Sequence, residues 1–147
     1  MPAKVTFASA RPKELRSDAT LPKLLDRMLA KWQFKKRFDG KTVAIKMHLG
    51  FGVGYSTIPP LIVARVVQAV KDAGGKPFIT DVPHAISAAK DRGYTAEVLG
   101  APIVSAAGQT DKYVCTRKIN YRTLTQVGIG GAIADAEAMI VLSHGKG

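Results

Sequence analysis

The stretch Thr42-Val43-Ala44-Ile45-Lys46-Met47-His48-Leu49-Gly50 decides the fold. Val43, Ala44, Ile45, Met47 and Leu49 form a near-continuous apolar run, the signature of a strand covered on both faces, as in parallel sheets. A glycine-rich loop from Gly50 to Thr57 follows. Pro59-Pro60 then start a helix running to about Ala73, with Arg65, Gln68 and Asp72 as a narrow polar stripe, and Gly74-Gly75 stop it. Pro77-Phe78-Ile79-Thr80-Asp81-Val82 is the next strand. Strand, helix and strand in succession form a βαβ unit, with parallel strands and a right-handed crossover.

Toward the N-terminus, Lys4 to Ala8 alternates polar and apolar and predicts a short strand. Arg11 to Ala19 is polar, contains Pro12 and reads as loop. Leu21, Leu24, Leu25, Met28, Leu29 and Trp32 recur at helical spacing, with Lys23, Arg27 and Lys31 on the solvent side. Thr20 is the candidate N-cap, Pro22 sits in the first turn, and Asp39-Gly40 ends the segment. Toward the C-terminus, Ile86 to Arg92 predicts a short helix closed by Gly93, and Ile103 to Ser105 a short strand. Tyr113 to Ile119 and Thr123 to Ile129 predict a hairpin around Asn120-Tyr121-Arg122. Gly131 to Glu137 predicts a short helix, and Ala138 to Ser143 a strand apolar enough to be central.

The expected architecture is therefore α/β: a mostly parallel, Rossmann-like sheet with flanking helices and a small β-hairpin, in a single domain over residues 1–147. Ser143-His144-Gly145-Lys146-Gly147 directly follows a core-type strand. The expectation from this is a sheet incomplete at its C-terminus: the chain is the N-terminal part of a longer protein, or another chain completes it.

The hydrophobic share of 46% and charged share of 22% are those of a globular protein. No segment approaches the ~18 apolar residues of a membrane span, and Met1-Pro2-Ala3-Lys4-Val5 lacks a secretory core. A single cysteine, Cys115, excludes a disulfide framework within the chain and favours a cytoplasmic setting. Lys and Arg outnumber Asp and Glu by 22 to 11, a net charge of +11. That excess suits an anionic partner such as nucleic acid, a phosphate ligand or an acidic protein, or simply a solubilising surface. The cations are spread along the chain apart from Lys35-Lys36-Arg37, and no aromatic nucleic-acid motif accompanies them, which disfavours nucleic acid.

The chemistry-bearing residues collect at strand ends. Lys46 and His48 share one side of their strand, opposite Val43, Ile45, Met47 and Leu49. Placing both on a covered strand is costly unless they have partners. Asp81 ends the next strand and His84 follows it; the last strand ends in Ser143-His144, with Lys146 beyond. Open α/β sheets bind ligands outside the carboxyl ends of their strands. Lys46, His48, Asp81, His84, His144 and Lys146 are thus placed to share one mouth. Each also has a structural reading: a hydrogen-bonded strand-end histidine, Asp81 as the cap of a turn, Lys46 as the partner of Asp81.

The loop Gly50-Phe51-Gly52-Val53-Gly54 has anion-cradle character, but it matches neither the dinucleotide fingerprint nor a Walker A loop, and Pro59-Pro60 remove two donors. His48, His84 and His144 show no metal-ligand spacing. An iron–sulfur cluster takes about four cysteines. Ser143, His144 and Asp81 could be written as a triad, yet no nucleophile elbow is present.

Four segments in order (Val43 to Gly50, Ala69 to Asp81, Leu99 to Val104 and Ala132 to His144) resemble the family called domain of unknown function 362. The resemblance implies an α/β domain commonly joined to a ferredoxin-like module with [4Fe–4S] clusters. The family's Lys-x-His-x-Gly segment matches Lys46, His48 and Gly50, and its Ser-His-x-Lys-Gly segment matches Ser143, His144, Lys146 and Gly147. The loop from Gly52 to Thr57 and His84 depart from the family pattern. The reading this implies is the ligand-binding domain of an iron–sulfur-associated redox protein. Lys46, His48, Gly50, Asp81, His144 and Lys146 would hold an anionic small molecule. No cofactor or metal is expected within the chain, and a cluster would come from another region or a partner chain. The alternatives are a binding module that docks an acidic ferredoxin-like partner, and a basic nucleic-acid-binding domain.

Overall fold

Val43, Ile45 and Leu49 are fully buried and Met47 nearly so, because their strand lies inside a sheet. The computed structural model describes residues 3–11, 14–50 and 57–145. Four parallel strands, numbered along the chain, form the sheet in the order β3 (Ile103–Ser105), β2 (Lys76–Asp81), β1 (Thr42–Met47), β6 (Ala138–Leu142). A separate antiparallel hairpin joins β4 (Val114–Tyr121) to β5 (Leu124–Gly130). The expected α/β architecture, with its parallel sheet, helices and hairpin, is what the chain adopts.

One face of the sheet holds the core. Val43, Ile45, Met47, Leu49 and Ile79 pack against Val63, Val66, Val67 and Val70 of helix α3 (Pro60–Asp72). Burying such side chains stabilises by about 1.5–3 kcal/mol each. Helices α1 (Leu21–Ala30) and α2 (Phe34–Phe38) extend the same core through Leu29, Phe34 and Phe38. Arg65 of α3's polar stripe meets Asp26 of α1 at 2.5 Å, while Gln68 and Asp72 are exposed and bond to each other. Gly74, at φ +84°, lets α3 turn sharply into β2: its N–H reaches the Lys71 carbonyl, and Gly75 N–H reaches that of Val70.

Several sequence expectations shift. Lys4 to Ala8 forms no strand; Val5 and Phe7 are 83% and 85% exposed, so alternation there finds no sheet to join. The first helical stretch breaks at Gln33, which adopts φ 52°, so Trp32 lies outside α1. Thr20 precedes α1 but its hydroxyl donates to Ser17 instead of capping. The segment expected as one helix from Ile86 to Arg92 is instead α4 (Pro83–Ser87) followed by a 3-10 turn, Lys90–Arg92, ended by Gly93 at φ 80°. A further short helix, α5 (Ala96–Leu99), is capped by the Thr95 hydroxyl accepting from Val98 N–H. The helix after the hairpin, α6 (Gly131–Ala134), stops early because Glu137 is tied to β1: its N–H donates to the Thr42 carbonyl and its carboxylate accepts from Thr42 N–H.

The largest correction concerns β6. It lies at the edge of the sheet among the described residues, not at its centre. Ala138, Ile140 and Leu142 pack on the core, whereas Met139 and Val141 are 52% and 61% exposed. An apolar run reports that one face is covered; it does not report how many neighbours the strand has.

Candidate functional site

The strand order fixes where a ligand would enter. From β1 the chain steps outward to β2 and β3, then returns to place β6 on the other side of β1. The direction of winding therefore reverses between β1 and β6. At such a reversal the loops leaving the two strands diverge and open a crevice at their carboxyl ends. His48 leaves β1 and Ser143-His144 leave β6, and the pairing of Met47 with Leu142 sets these exits side by side.

Asp81 organises the β1 side. It is the last residue of β2 and only 4% exposed. Its Oδ1 accepts from the Lys46 ammonium at 3.0 Å, and its Oδ2 accepts from Leu49 N–H at 2.8 Å. His48 Nδ1 lies 3.8 Å from Oδ2, beyond hydrogen-bond range. Burial alone would raise the Asp81 pKa. Hydrogen bonds from the Leu49 backbone, the Lys46 ammonium and the Val82 backbone, together with the Lys46 charge, outweigh it and hold the carboxyl below the usual range. Lys46 also donates to the Met47 carbonyl at 2.9 Å. An ammonium has three donors, so one remains beyond these bonds.

Arg92 is the residue that sequence reasoning missed. Its guanidinium donates to the Leu49 carbonyl and packs against Gly50. A cation closing a short turn before Gly93 was visible in the sequence, but nothing local showed that it reaches β1. Gly50 is buried at φ +84°, and a Cβ there would lie 2.9 Å from Thr57 Cγ2 and 3.3 Å from Arg92 Nη2. Its glycine is thus demanded by backbone and neighbours. The far end of the loop is also held: the hydroxyl of Tyr94, 2% exposed, donates to the Ile58 carbonyl at 2.6 Å.

The other predicted residues are less closely gathered. His84 is exposed on α4, one strand away. His144 is exposed at the β6 exit. Lys146 and the loop from Phe51 to Ser56 lie outside the described residues. Asp81 is committed to Lys46 and Leu49, and the histidine near it is His48, so the triad of Ser143, His144 and Asp81 has no geometric support. Among the described residues no group of three or more His, Cys, Asp and Glu side chains is arranged to hold a metal ion. An iron–sulfur cluster does not fit this chain's residues, since Cys115 stands alone on β4 where about four thiolates are needed.

Two buried hydroxyls at the ends of β2 and β3, Thr80 Oγ1 and Ser105 Oγ, make no hydrogen bond among the described residues. Thr80 is fully buried beside Lys46 in the sheet register. Unpaired buried hydroxyls are costly and call for an explanation such as an unseen polar neighbour. A groove of about 810 Å³ lies elsewhere, between α1, α2 and α3, lined by Leu29, Phe34, Leu61 and the Asp26–Arg65 pair. It contains none of the strand-end residues, and strand order is the stronger guide to a ligand.

Fold and rim together define a parallel α/β domain whose strand order reverses between β1 and β6, with His48 and His144 exposed at the two strand exits. The chain belongs to the family described as Domain of unknown function (DUF362), which matches residues 43–147. No curated protein and no solved structure matches it. No helix among the described residues is long and apolar enough to cross a membrane.

Proposed function

We propose that the crevice between the β1 and β6 exits binds an anionic, oxygen-bearing small molecule, making this chain a ligand-binding domain. The supporting observation is the reversal of strand order at that point, flanked by His48 and His144. Lys46 supplies a third ammonium donor beside it. Because Lys46 neutralises Asp81, the one buried carboxylate nearby does not repel an anion. Gly50 belongs to the support of this site instead of its contact surface, since Arg92 and Thr57 already crowd it. A phosphate seated on the start of α3 is disfavoured, because Pro59 and Pro60 supply no N–H. Any redox role would draw its iron–sulfur cluster from a separate module.

Calorimetric titration of the full chain with inorganic phosphate, pyrophosphate and citrate tests this. Binding should raise stability by about 2.7 kcal/mol at a hundredfold excess over Kd. His48→Ala/His144→Ala should weaken it at least about tenfold, or 1.4 kcal/mol. Unchanged affinity in that double variant, or no binding of any of the three anions, refutes the proposal.

A further inference from the structure

None of residues 114–130 is buried, although they form the longest strands in the molecule. Among the described residues the hairpin's hydrogen bonds to the rest of the chain lie at its base: Gly131 N–H donates to the Tyr113 carbonyl, Tyr113 N–H to that of Ala107, Ala132 N–H to that of Ala106, and the Tyr113 hydroxyl to Asp135. Beyond the base it projects as a two-stranded ribbon. A lone ribbon is marginal in water, and it gains stability when something covers its apolar side. Cross-strand pairing sets Cys115 with Ile129 and Arg117 with Val127, and, beyond a register shift after Lys118, Tyr121 with Leu124 at the tip. Tyr121 and Leu124 at the tip are 60% and 51% exposed.

The charge on this arm is one-signed. Lys112, Arg117, Lys118 and Arg122 all fall on it, and no Asp or Glu occurs between Asp111 and Asp135. The Arg122 guanidinium stands 5.4 Å over the Tyr121 ring, so aromatic and cation are presented together at the tip. Aromatic and aliphatic residues at the centre with arginine and lysine around them is the composition of a protein-docking surface. Two such arms would repel each other, as would two chains of net charge +11, which argues against a second copy as the occupant. Leu124, Val127 and Ile129 have no counterpart on a sugar–phosphate backbone, which argues against nucleic acid.

We infer that the β4–β5 hairpin is a docking arm for an acidic protein whose contact surface has an apolar centre. The anionic rim of the partner meets Arg117, Lys118 and Arg122, while its apolar centre covers Tyr121 and Leu124 at the tip. This surface is distinct from the strand-end crevice and stands or falls independently of it.

Carbodiimide cross-linking of the full chain in an extract of its own cells, followed by peptide mass spectrometry, locates the partner. Lys112 or Lys118 should join to Asp or Glu of another protein. That protein, purified, should bind the wild-type chain with an affinity that falls as salt rises. The charge reversal Arg117→Glu/Lys118→Glu/Arg122→Glu should weaken it by at least about tenfold. Tyr121→Ala/Leu124→Ala should weaken it at unchanged salt dependence, with circular dichroism confirming that both variants fold. The inference is overturned if hairpin lysines join only to carboxylates of this chain or of a second copy, or join to none. It is equally overturned if the reversal leaves affinity unchanged, or if a 20-nucleotide RNA (about the span of a few binding sites) binds the arm more tightly than the protein.

Discussion

Replacing Asp81 with Asn tests the brace on which the rim depends. The carboxylate accepts charge-assisted bonds from Lys46 at 3.0 Å and Leu49 N–H at 2.8 Å, beside one from the Val82 backbone. Such bonds contribute about 1.5–3 kcal/mol each. Asparagine keeps one acceptor oxygen but turns an N–H toward the remaining donor, so one bond is lost and a donor faces a donor. Lys46 is 34% exposed, so water can partly resolvate its ammonium. The cost is therefore about 2 kcal/mol, below the ~3–5 kcal/mol of breaking a fully buried pair. In urea unfolding followed by circular dichroism, with a slope near 2 kcal/mol/M, the midpoint should fall by about 1 M. The pH dependence supplies a second reading. The folded Asp81 pKa is depressed, through hydrogen bonds and the Lys46 charge that outweigh burial. Its stabilisation is present above the unfolded-state value of about 4 and is lost as pH falls through the folded value. The Asn variant should lose that part of the acid limb and converge on wild type at low pH. A variant within about 0.5 kcal/mol of wild type at neutral pH, the range of an ordinary surface change, would refute the assignment of Asp81 as the brace.

Gly50→Ala should cost about 1–3 kcal/mol, because φ +84° is unfavourable for alanine and its Cβ would press on Thr57 and Arg92; thermal melting checks it, and an unchanged melting temperature contradicts the packing described. Tyr113 should ionise above the ordinary tyrosine range, since its hydroxyl donates to Asp135, so Asp135→Asn should lower its pKa in an ultraviolet tyrosinate titration. A double-mutant cycle with Asp26→Asn and Arg65→Met should give a coupling of about 0.5–1 kcal/mol, modest because both side chains are about one-third exposed. A coupling above about 3 kcal/mol would place that pair among buried ones.

The sheet was legible where one local pattern carried all the information. Val43 to Leu49 announces a covered strand by near-continuous apolarity, and Gly74-Gly75 announce the turn into the strand that ends at Asp81. Ile103–Ser105 was equally plain. Lys4 to Ala8 carried a valid strand pattern with no neighbour to pair with, and β6 carried a central-strand pattern at an edge. Both failures have one cause: pairing is a long-range property that periodicity within a segment cannot encode. The same holds at the site. The closeness of Lys46, His48 and Asp81 was legible because strand ends concentrate polar residues that a core would exclude. Arg92 was not found, because its contact with the Leu49 carbonyl spans 43 residues and leaves no mark on the sequence around either partner.

The rim separates support from contact, and that separation is what makes the binding proposal testable. Asp81, Gly50 and Arg92 are turned inward, holding the β1 exit by bonds and close packing. His48 and His144 are exposed. Exposed side chains outside packed networks change stability by about 0.5 kcal/mol or less when truncated. The Asp81→Asn variant should thus lose stability and anion affinity together, because the Leu49 backbone that shapes the crevice loses its anchor. The His48→Ala/His144→Ala variant should lose affinity alone. If both variants lose only stability, the rim is a structural brace and the crevice has no ligand of this class.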